Sequence, residues 1–238
     1  MTYVEGFVLA VPADKKDEYL QSASQSAPIF KEYGVTRHVE AWSDDVPDGK
    51  VTDFKGAVQA KEGEAVVFSW LEYPDKTTRD AANQKIMADP RMADMACPFD
   101  PQRMIVAGFA PLLDTGEQAG TGYVDGFVAP VPERNKEAYR AMAEMASEVF
   151  KDHGAVRVVE GWGDDVPHGK VTDYYRATKA EDGEKVVFSW VEWPSKEARD
   201  AGWEKVMADE RMKQDPDQEK PFDGMRMFYG GFAPIFDR

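Results

Sequence analysis

The sequence predicts an α+β chain built as two ferredoxin-like (split βαβ) units. Their antiparallel sheets are expected to pack face to face as a pseudo-dimeric α/β barrel. Three observations lead there. The stretch from Trp42 to Asp53 (Trp-Ser-Asp-Asp-Val-Pro-Asp-Gly-Lys-Val-Thr-Asp) returns with the same spacing from Trp162 to Asp173. Each copy reads strand, helix, strand, strand, helix, strand. One expected face of each sheet is aromatic and charged where the other is aliphatic.

The duplication is long, and this fixes the domain organisation. Tyr3-Val4-Glu5-Gly6-Phe7-Val8 matches Tyr123-Val124-Asp125-Gly126-Phe127-Val128, a shift of 120 residues. Gly108-Phe109-Ala110-Pro111 matches Gly231-Phe232-Ala233-Pro234 at a shift of 123, so the second copy carries three extra residues between Met212 and Pro221. A period this long means two domains rather than a solenoid. The expected boundaries are a first unit over 1–113, a linker over 114–122 and a second unit over 123–238.

Within a copy, Tyr3 to Val11 has the β-branched and aromatic content of a strand and stops at Pro12. A helix follows: Tyr139, Met142, Ala143, Ala146, Val149 and Phe150 form one apolar stripe in copy two. Copy one keeps Tyr19, Ala23, Ala27 and Phe30 and adds Pro28, which predicts a kink. Gly34 and Gly154 stand where a helix-ending glycine belongs. Val35 to Ser43 is a strand, with Asp-Asp-Val-Pro-x-Gly-Lys as its exit loop. Thr52 to Gln59 is read as a further strand, joined by a hairpin turn at Glu62-Gly63-Glu64 to the strand Glu64–Tyr73. Asp75 and Ser195 cap the next helix, Asp89-Pro90 opens a short helical turn, and Arg103 to Pro111 is the last strand.

Alternation sorts the strand residues by face. Val4, Val8, Val35, Val39, Ala41, Val67, Leu71, Met104 and Val106 are expected to meet the helices. The opposite face takes Tyr3, Glu5, Phe7, His38, Glu40, Trp42, Phe68, Trp70, Glu72, Arg103 and Ile105. Copy two supplies Phe127, Glu160, Trp162, Phe188, Trp190, Glu192 and Arg226 there. That face is too aromatic for water and too charged for an ordinary core. Two such faces turned inward would enclose a pocket with aromatic walls and a few polar groups.

Composition narrows the partners. The formal charge of −15 over 238 residues disfavours nucleic acid. Met1-Thr2-Tyr3 runs straight into a strand, so no signal peptide is expected, and no apolar run is long enough to span a membrane. The lone Cys97 excludes an intramolecular disulfide and fits a cytoplasmic chain. Histidines do not repeat between copies and lack zinc spacing, so no metal and no cofactor is expected. Asp44, Asp45 and Asp53 could ligate a hard cation, but such residues more often shape turns.

Taken together, Tyr-Val-x-Gly-Phe-Val, Asp-Asp-Val-Pro-x-Gly-Lys-Val-Thr-Asp, Val-Val-Phe-Ser-Trp-x-Glu-x-Pro, Met-x-Asp-x-Arg-Met and Pro-Phe-Asp-x-x-Arg-Met resemble the domain-of-unknown-function 1428 family. That family belongs to the dimeric α/β-barrel superfamily, and its members usually hold one unit. The resemblance therefore implies a fused dimer and brings no activity with it. Superfamily relatives include cofactor-free monooxygenases and haem-using enzymes, a weak functional guide. The family's Arg-Met-x-Tyr-Gly-Gly-Phe ending is intact at Arg226–Phe232, whereas copy one reads Arg103-Met104-Ile105-Val106-Ala107-Gly108-Phe109. Copy two is the better candidate for a working site if Tyr229 takes part.

The candidate acid–base groups are Glu40, Glu72, Glu160 and Glu192. Two roles stand open for them. A buried carboxylate with a raised pKa can move protons. A carboxylate paired to Arg103 or Arg226 is structural. The expected pocket lining is Phe7, His38, Trp42, Phe68, Trp70, Arg103, Phe127, Trp162, Phe188, Trp190 and Arg226. Three functions follow: binding of a small apolar or aromatic molecule between the sheets, a cofactor-independent oxygenase or isomerase using a pocket Glu as base, or a structural fused dimer with a filled barrel. The middle and last are separated from the first by turnover and by the presence of a void.

Overall fold

Eight antiparallel strands close into one barrel in the computed structural model, which describes residues 2–93, 95–117, 120–213 and 220–238. The first copy supplies β1 (Tyr3–Pro12), α1 (Lys16–Glu32), β2 (Arg37–Asp45), α2 (Phe54–Ala57), β3 (Glu64–Tyr73), α3 (Lys76–Ala88), α4 (Pro90–Ala93) and β4 (Ile105–Gly116). The second supplies β5 (Tyr123–Pro132), α5 (Lys136–Asp152), β6 (Arg157–Asp165), α6 (Tyr174–Thr178), β7 (Glu184–Trp193), α7 (Lys196–Ala208) and β8 (Phe228–Asp237). Around the barrel the order is β1-β3-β2-β8-β5-β7-β6-β4. The seams between copies are β2 with β8 and β4 with β6. β4 runs to Gly116 and pairs Asp114 with Val159 and Thr115 with Val158, so its end enters the expected linker. No helix among the described residues is long and apolar enough to cross a membrane.

The barrel interior is packed. Phe68 stacks on Phe188 with ring centroids 4.4 Å apart and planes 5° from parallel, and Trp70 meets Trp190 at 4.5 Å. Val4, Val8, Val39, Ala41, Ile105 and Phe109 share this core with Val124, Val128, Val159 and Phe232. Gly6 and Gly126 are glycines for a reason of space. A Cβ on Gly6 would lie 2.9 Å from the Phe188 ring, and one on Gly126 would lie 2.9 Å from Phe68. Each copy thus leaves a gap in β1 or β5 for the other copy's stacked ring.

The interior set corrects the expected faces. Phe68, Trp70, Phe188 and Trp190 turn inward as expected, but Val4, Val8, Val39 and Ala41 turn inward with them. Tyr3, Phe7, His38, Glu40 and Trp42 lie on the helix side, alongside Val67 and Leu71. The reason is register: Val8 pairs with Phe68, Val4 with Glu72 and Ala41 with Phe68, and directly paired residues share a face. Side-chain chemistry was a poor guide, because the interior mixes aliphatic and aromatic residues on neighbouring strands.

A second correction concerns Thr52 to Gln59. That segment is the short helix α2, capped by Asp53, whose side chain accepts from the Gly56 amide at 2.6 Å. Asp173 caps α6 in the same way, through the Arg176 amide at 2.8 Å. Both helices plug one end of the barrel with Phe54 and Tyr174, which are fully buried. Thr52 donates to the Ala177 carbonyl and Thr172 to the Ala57 carbonyl, so each loop ties the other copy's plug. In α1, Pro28 is accommodated within a helix that runs through to Glu32. Gly34 and Gly154 end α1 and α5 with φ of +106° each.

The Asp-Asp of the twice-written stretch has the same cross-copy role. Asp44 accepts from the Tyr123 hydroxyl at 2.8 Å and from Lys196, and Asp45 pairs with Arg199 at 2.9 Å. Asp164 accepts from Tyr3 at 3.0 Å, and Asp165 meets Arg79. These carboxylates answer protein donors from the opposite copy.

Candidate functional site

The expected site residues divide among three places. Glu72 and Glu192 lie inside the barrel at the end away from the α2 and α6 plugs, almost fully buried. Arg157 grips Glu72 through Nη1 and Nη2 at 2.8 and 3.1 Å, and Arg37 grips Glu192 at 2.8 and 3.0 Å. Asp114 accepts from Arg157 Nε and Asp237 from Arg37 Nε, each at 2.9 Å. The indole N–H groups of Trp70 and Trp190 donate to Glu72 and Glu192 at 3.0 and 2.9 Å. The carboxylates are ion-paired, as the structural reading held, but the partners are Arg157 and Arg37 of the opposite copy.

Arg103 and Arg226 serve elsewhere. Arg103 binds Glu64 in a two-pronged pair at 2.7 Å per prong and reaches Asp100 at 3.1 Å. Arg226 repeats this with Glu184 and Asp223. Trp42 is buried beneath α1 beside Tyr19, with Lys16 5.2 Å from its ring. Trp162 packs near Tyr139 under α5, with Lys136 at the same distance. A shared void for Trp42, Trp70, Glu40 and Glu72 is therefore ruled out by placement, since Trp42 and Glu40 face the helices while Trp70 and Glu72 face the barrel interior.

The remaining residues converge on two cavities between the helices and the outer sheet surface. In copy two a cavity of about 640 Å³ is lined by Phe127, Tyr139, Met142, Phe150, Trp203 and Phe222, with Glu160, Ser189, Arg211, Lys213 and Lys220 as polar groups in its wall. In copy one the matching space is about 260 Å³ and holds Phe7, Phe30, His38, Glu40 and Met104. The first volume sits inside the ~300–1,000 Å³ range of small-molecule pockets and the second just under it.

The carboxylate of each cavity is reached by a helix tyrosine. Tyr139 donates to Glu160 at 2.9 Å, and Tyr19 donates to Glu40 at 2.6 Å. Glu160 is partly accessible at the cavity wall, yet desolvation raises its pKa from 4.5 to about 7, against the lowering effect of the Tyr139 and Ser189 hydrogen bonds. Near neutral pH such a group can give or take a proton. Glu40 has a further partner, His38 Nε2 at 2.7 Å, where copy two places Val158. Tyr19, Tyr139, Arg37 and Arg157 escaped the sequence reading. The tyrosines were legible only as part of an apolar stripe. The arginines carried one signal: they repeat at a shift of 120, each at the start of its strand.

Asp44 and Asp45 take protein donors and Asp53 caps a helix, and no group of three or more metal-ligating side chains was found among the described residues. Cys97 is exposed and edges the first cavity.

Fold and site together define an α+β barrel protein with a small-molecule-sized cavity beneath α5 and α7. The chain belongs to the family described as protein of unknown function (DUF1428), which matches twice, over residues 2–101 and 122–224. It is similar to the uncharacterised protein YbaA of Escherichia coli K12, 61% identical over 116 residues, which is 48% of this chain and 99% of that relative. The fold is similar to that of a candidate monooxygenase from Fusobacterium nucleatum, with TM-score 0.60 and 11% identity over 100% of this chain and 94% of the other. A candidate monooxygenase from Lactobacillus acidophilus gives TM-score 0.53 at 12% identity, covering 100% and 96%. At these identities the likeness speaks to the fold alone.

Proposed function

We propose that the chain binds a small apolar or aromatic molecule in the copy-two cavity, with Glu160 meeting the ligand's polar atom. The inter-sheet space first expected to hold it is occupied by the Phe68–Phe188 and Trp70–Trp190 stacks. The observation that carries this reading is the 640 Å³ aromatic cavity with a proton-poised carboxyl in its wall. We also read the barrel as the fused form of an assembly that two single-unit chains would make. Support comes from the strand order 4-1-3-2 in each half and from a relative matched along its length by about half of this chain.

Native mass spectrometry of gently purified protein should reveal a co-purifying small molecule. Trp203 lines the cavity, so its fluorescence should report ligands drawn from an aromatic panel. Ala146→Phe, which projects a ring into the cavity, should weaken that response; a response unchanged by the substitution would rule the site out. The second reading is a cofactor-independent oxygenase or isomerase, favoured by the raised Glu160 pKa. In that case Glu160→Gln removes turnover while ligand affinity survives. Equal turnover in wild type and Glu160→Gln would exclude Glu160 as the base.

A further inference from the structure

The copy-two cavity carries charge at its rim that copy one does not. Arg211, Lys213 and Lys220 edge the cavity, and all three are exposed. Arg211 belongs to an arrangement that both copies share. It pairs with Asp209 and Asp152 at 2.8 and 2.9 Å, as Arg91 pairs with Asp89 and Glu32 at 2.6 and 3.0 Å. The lysines are not shared: Ala93 and Cys97 stand at those places in copy one. A lysine beside an apolar space lays its methylene stem along the wall and keeps its ammonium in water. Lys213 fits this, with its side chain 61% exposed and its ammonium on Glu210, which is 82% exposed. An ion pair so open to solvent holds its partners weakly. Asp152, Asp209 and Glu210 are not part of the lining. Among the described residues the charged groups on the lining are the three cations at the rim and Glu160 within. With a pKa of about 7, Glu160 is half neutral near neutral pH and opposes an anion at the rim only weakly.

We infer that the copy-two ligand is an anionic amphiphile: an aromatic body fills the cavity, and a carboxylate head stays at the rim, where Lys213 and Lys220 meet it. This rests on the binding reading proposed above and adds the ligand's charge to it. The chain's net charge of −15 repels anions in general, so two lysines present at one cavity rim and absent from its duplicate are a local exception. Each ammonium is a point charge on a flexible stem, suited to a head group that stays hydrated. A hydroxyl at the ligand's inner end would face Glu160. Copy one, with Ala93 and Cys97 in place of the lysines, offers no such head-group site.

Two probes of one shape separate charge from fit. Calorimetric titration of the full-length protein uses 6-hydroxy-2-naphthoate, with its hydroxyl and carboxylate at opposite ends, and 2-naphthol, which lacks the carboxylate. At low salt the naphthoate should bind about tenfold tighter, the scale of two ammonium groups acting through water. That advantage should shrink as salt is raised. Lys213→Ala with Lys220→Ala should bring the naphthoate down to the affinity of naphthol and leave naphthol unchanged. Both side chains are exposed, so the double variant is expected to fold. Ala146→Phe should weaken both probes. Equal affinity of the two probes for the wild type would overturn the anionic head while leaving the cavity as a binding site. A naphthoate advantage that survives the double lysine substitution would do the same. Binding of neither probe would remove the cavity reading and this inference with it, so the two fail by different results.

Discussion

One substitution between copies, His38 against Val158, separates the two cavity carboxylates. Glu160 keeps the tyrosine donor but lacks an imidazole, and desolvation lifts it from 4.5 to about 7. A carboxyl whose folded pKa exceeds its unfolded value binds more protons when folded. Its stabilising effect is complete below pH 4.5 and is lost as pH rises through about 7. Glu160→Gln escapes that loss. The stability difference between variant and wild type should therefore grow in the variant's favour from pH 4.5 to 8, by up to about 3 kcal/mol. Thermal melts across that range check it, and a difference flat with pH would refute the raised pKa. Gly6 makes a second residue-scale case. A methyl there presses on Phe188, whose ring is pinned by Phe68 and Phe109, so Gly6→Ala should cost ~1–3 kcal/mol in chemical denaturation. The glycine of Tyr-Val-x-Gly-Phe-Val was visible in the sequence. Its cause was not, because the ring that requires it lies in the other copy.

At the scale of elements, the sequence was most legible where local chemistry decides. Glu64–Tyr73, the Asp75 and Ser195 caps and the Asp89-Pro90 turn stand as read, since β-branched content and capping oxygens act within a few residues. Faces were less legible, because pairing across strands sets them. Nothing within β1 alone tells that Val8 sits opposite Phe68. The misread Thr52–Gln59 segment shows the same limit: a four-residue helix has too little periodicity to register, and Asp53 reads equally well as a turn residue. The cavity carboxylates were legible as candidates, but their tyrosine partners were hidden in a stripe that also reads as core. Caps offer a direct check. Asp173 accepts from the amides of Arg176 and Gly169, at 2.8 and 3.1 Å. Asp173→Ala should therefore cost about 1–2 kcal/mol. Asp173→Asn keeps an oxygen for the capping Arg176 amide but presents an NH2 to the Gly169 amide, so it should recover only part of that in the same melting assay.

On the scale of the whole molecule, strands from both sequence copies close into one barrel. Arg37 and Arg157 each bind a glutamate of the opposite copy inside the barrel, beside the stacked tryptophans. Removing one partner strands a buried charge, so Arg37→Leu should destabilise by about 3–5 kcal/mol. Each half seen alone has a sheet face bearing Phe68, Trp70 and Phe109, or Phe188, Trp190 and Phe232, and an arginine whose glutamate resides elsewhere. Such a face cannot remain in water. Residues 1–117 and 120–238, expressed as separate chains, should therefore associate. Joining them in one chain contributes chiefly effective concentration. Co-expression with a tag on one half should retain the other through purification, and the pair should elute at the size of the intact chain. Mixed alone, either half should self-associate, because Gly6 and Gly126 offer the same gap to either phenylalanine. A half that stays monomeric and folded, with its tryptophans shielded from quencher, would show that the barrel interior is not what holds the copies together.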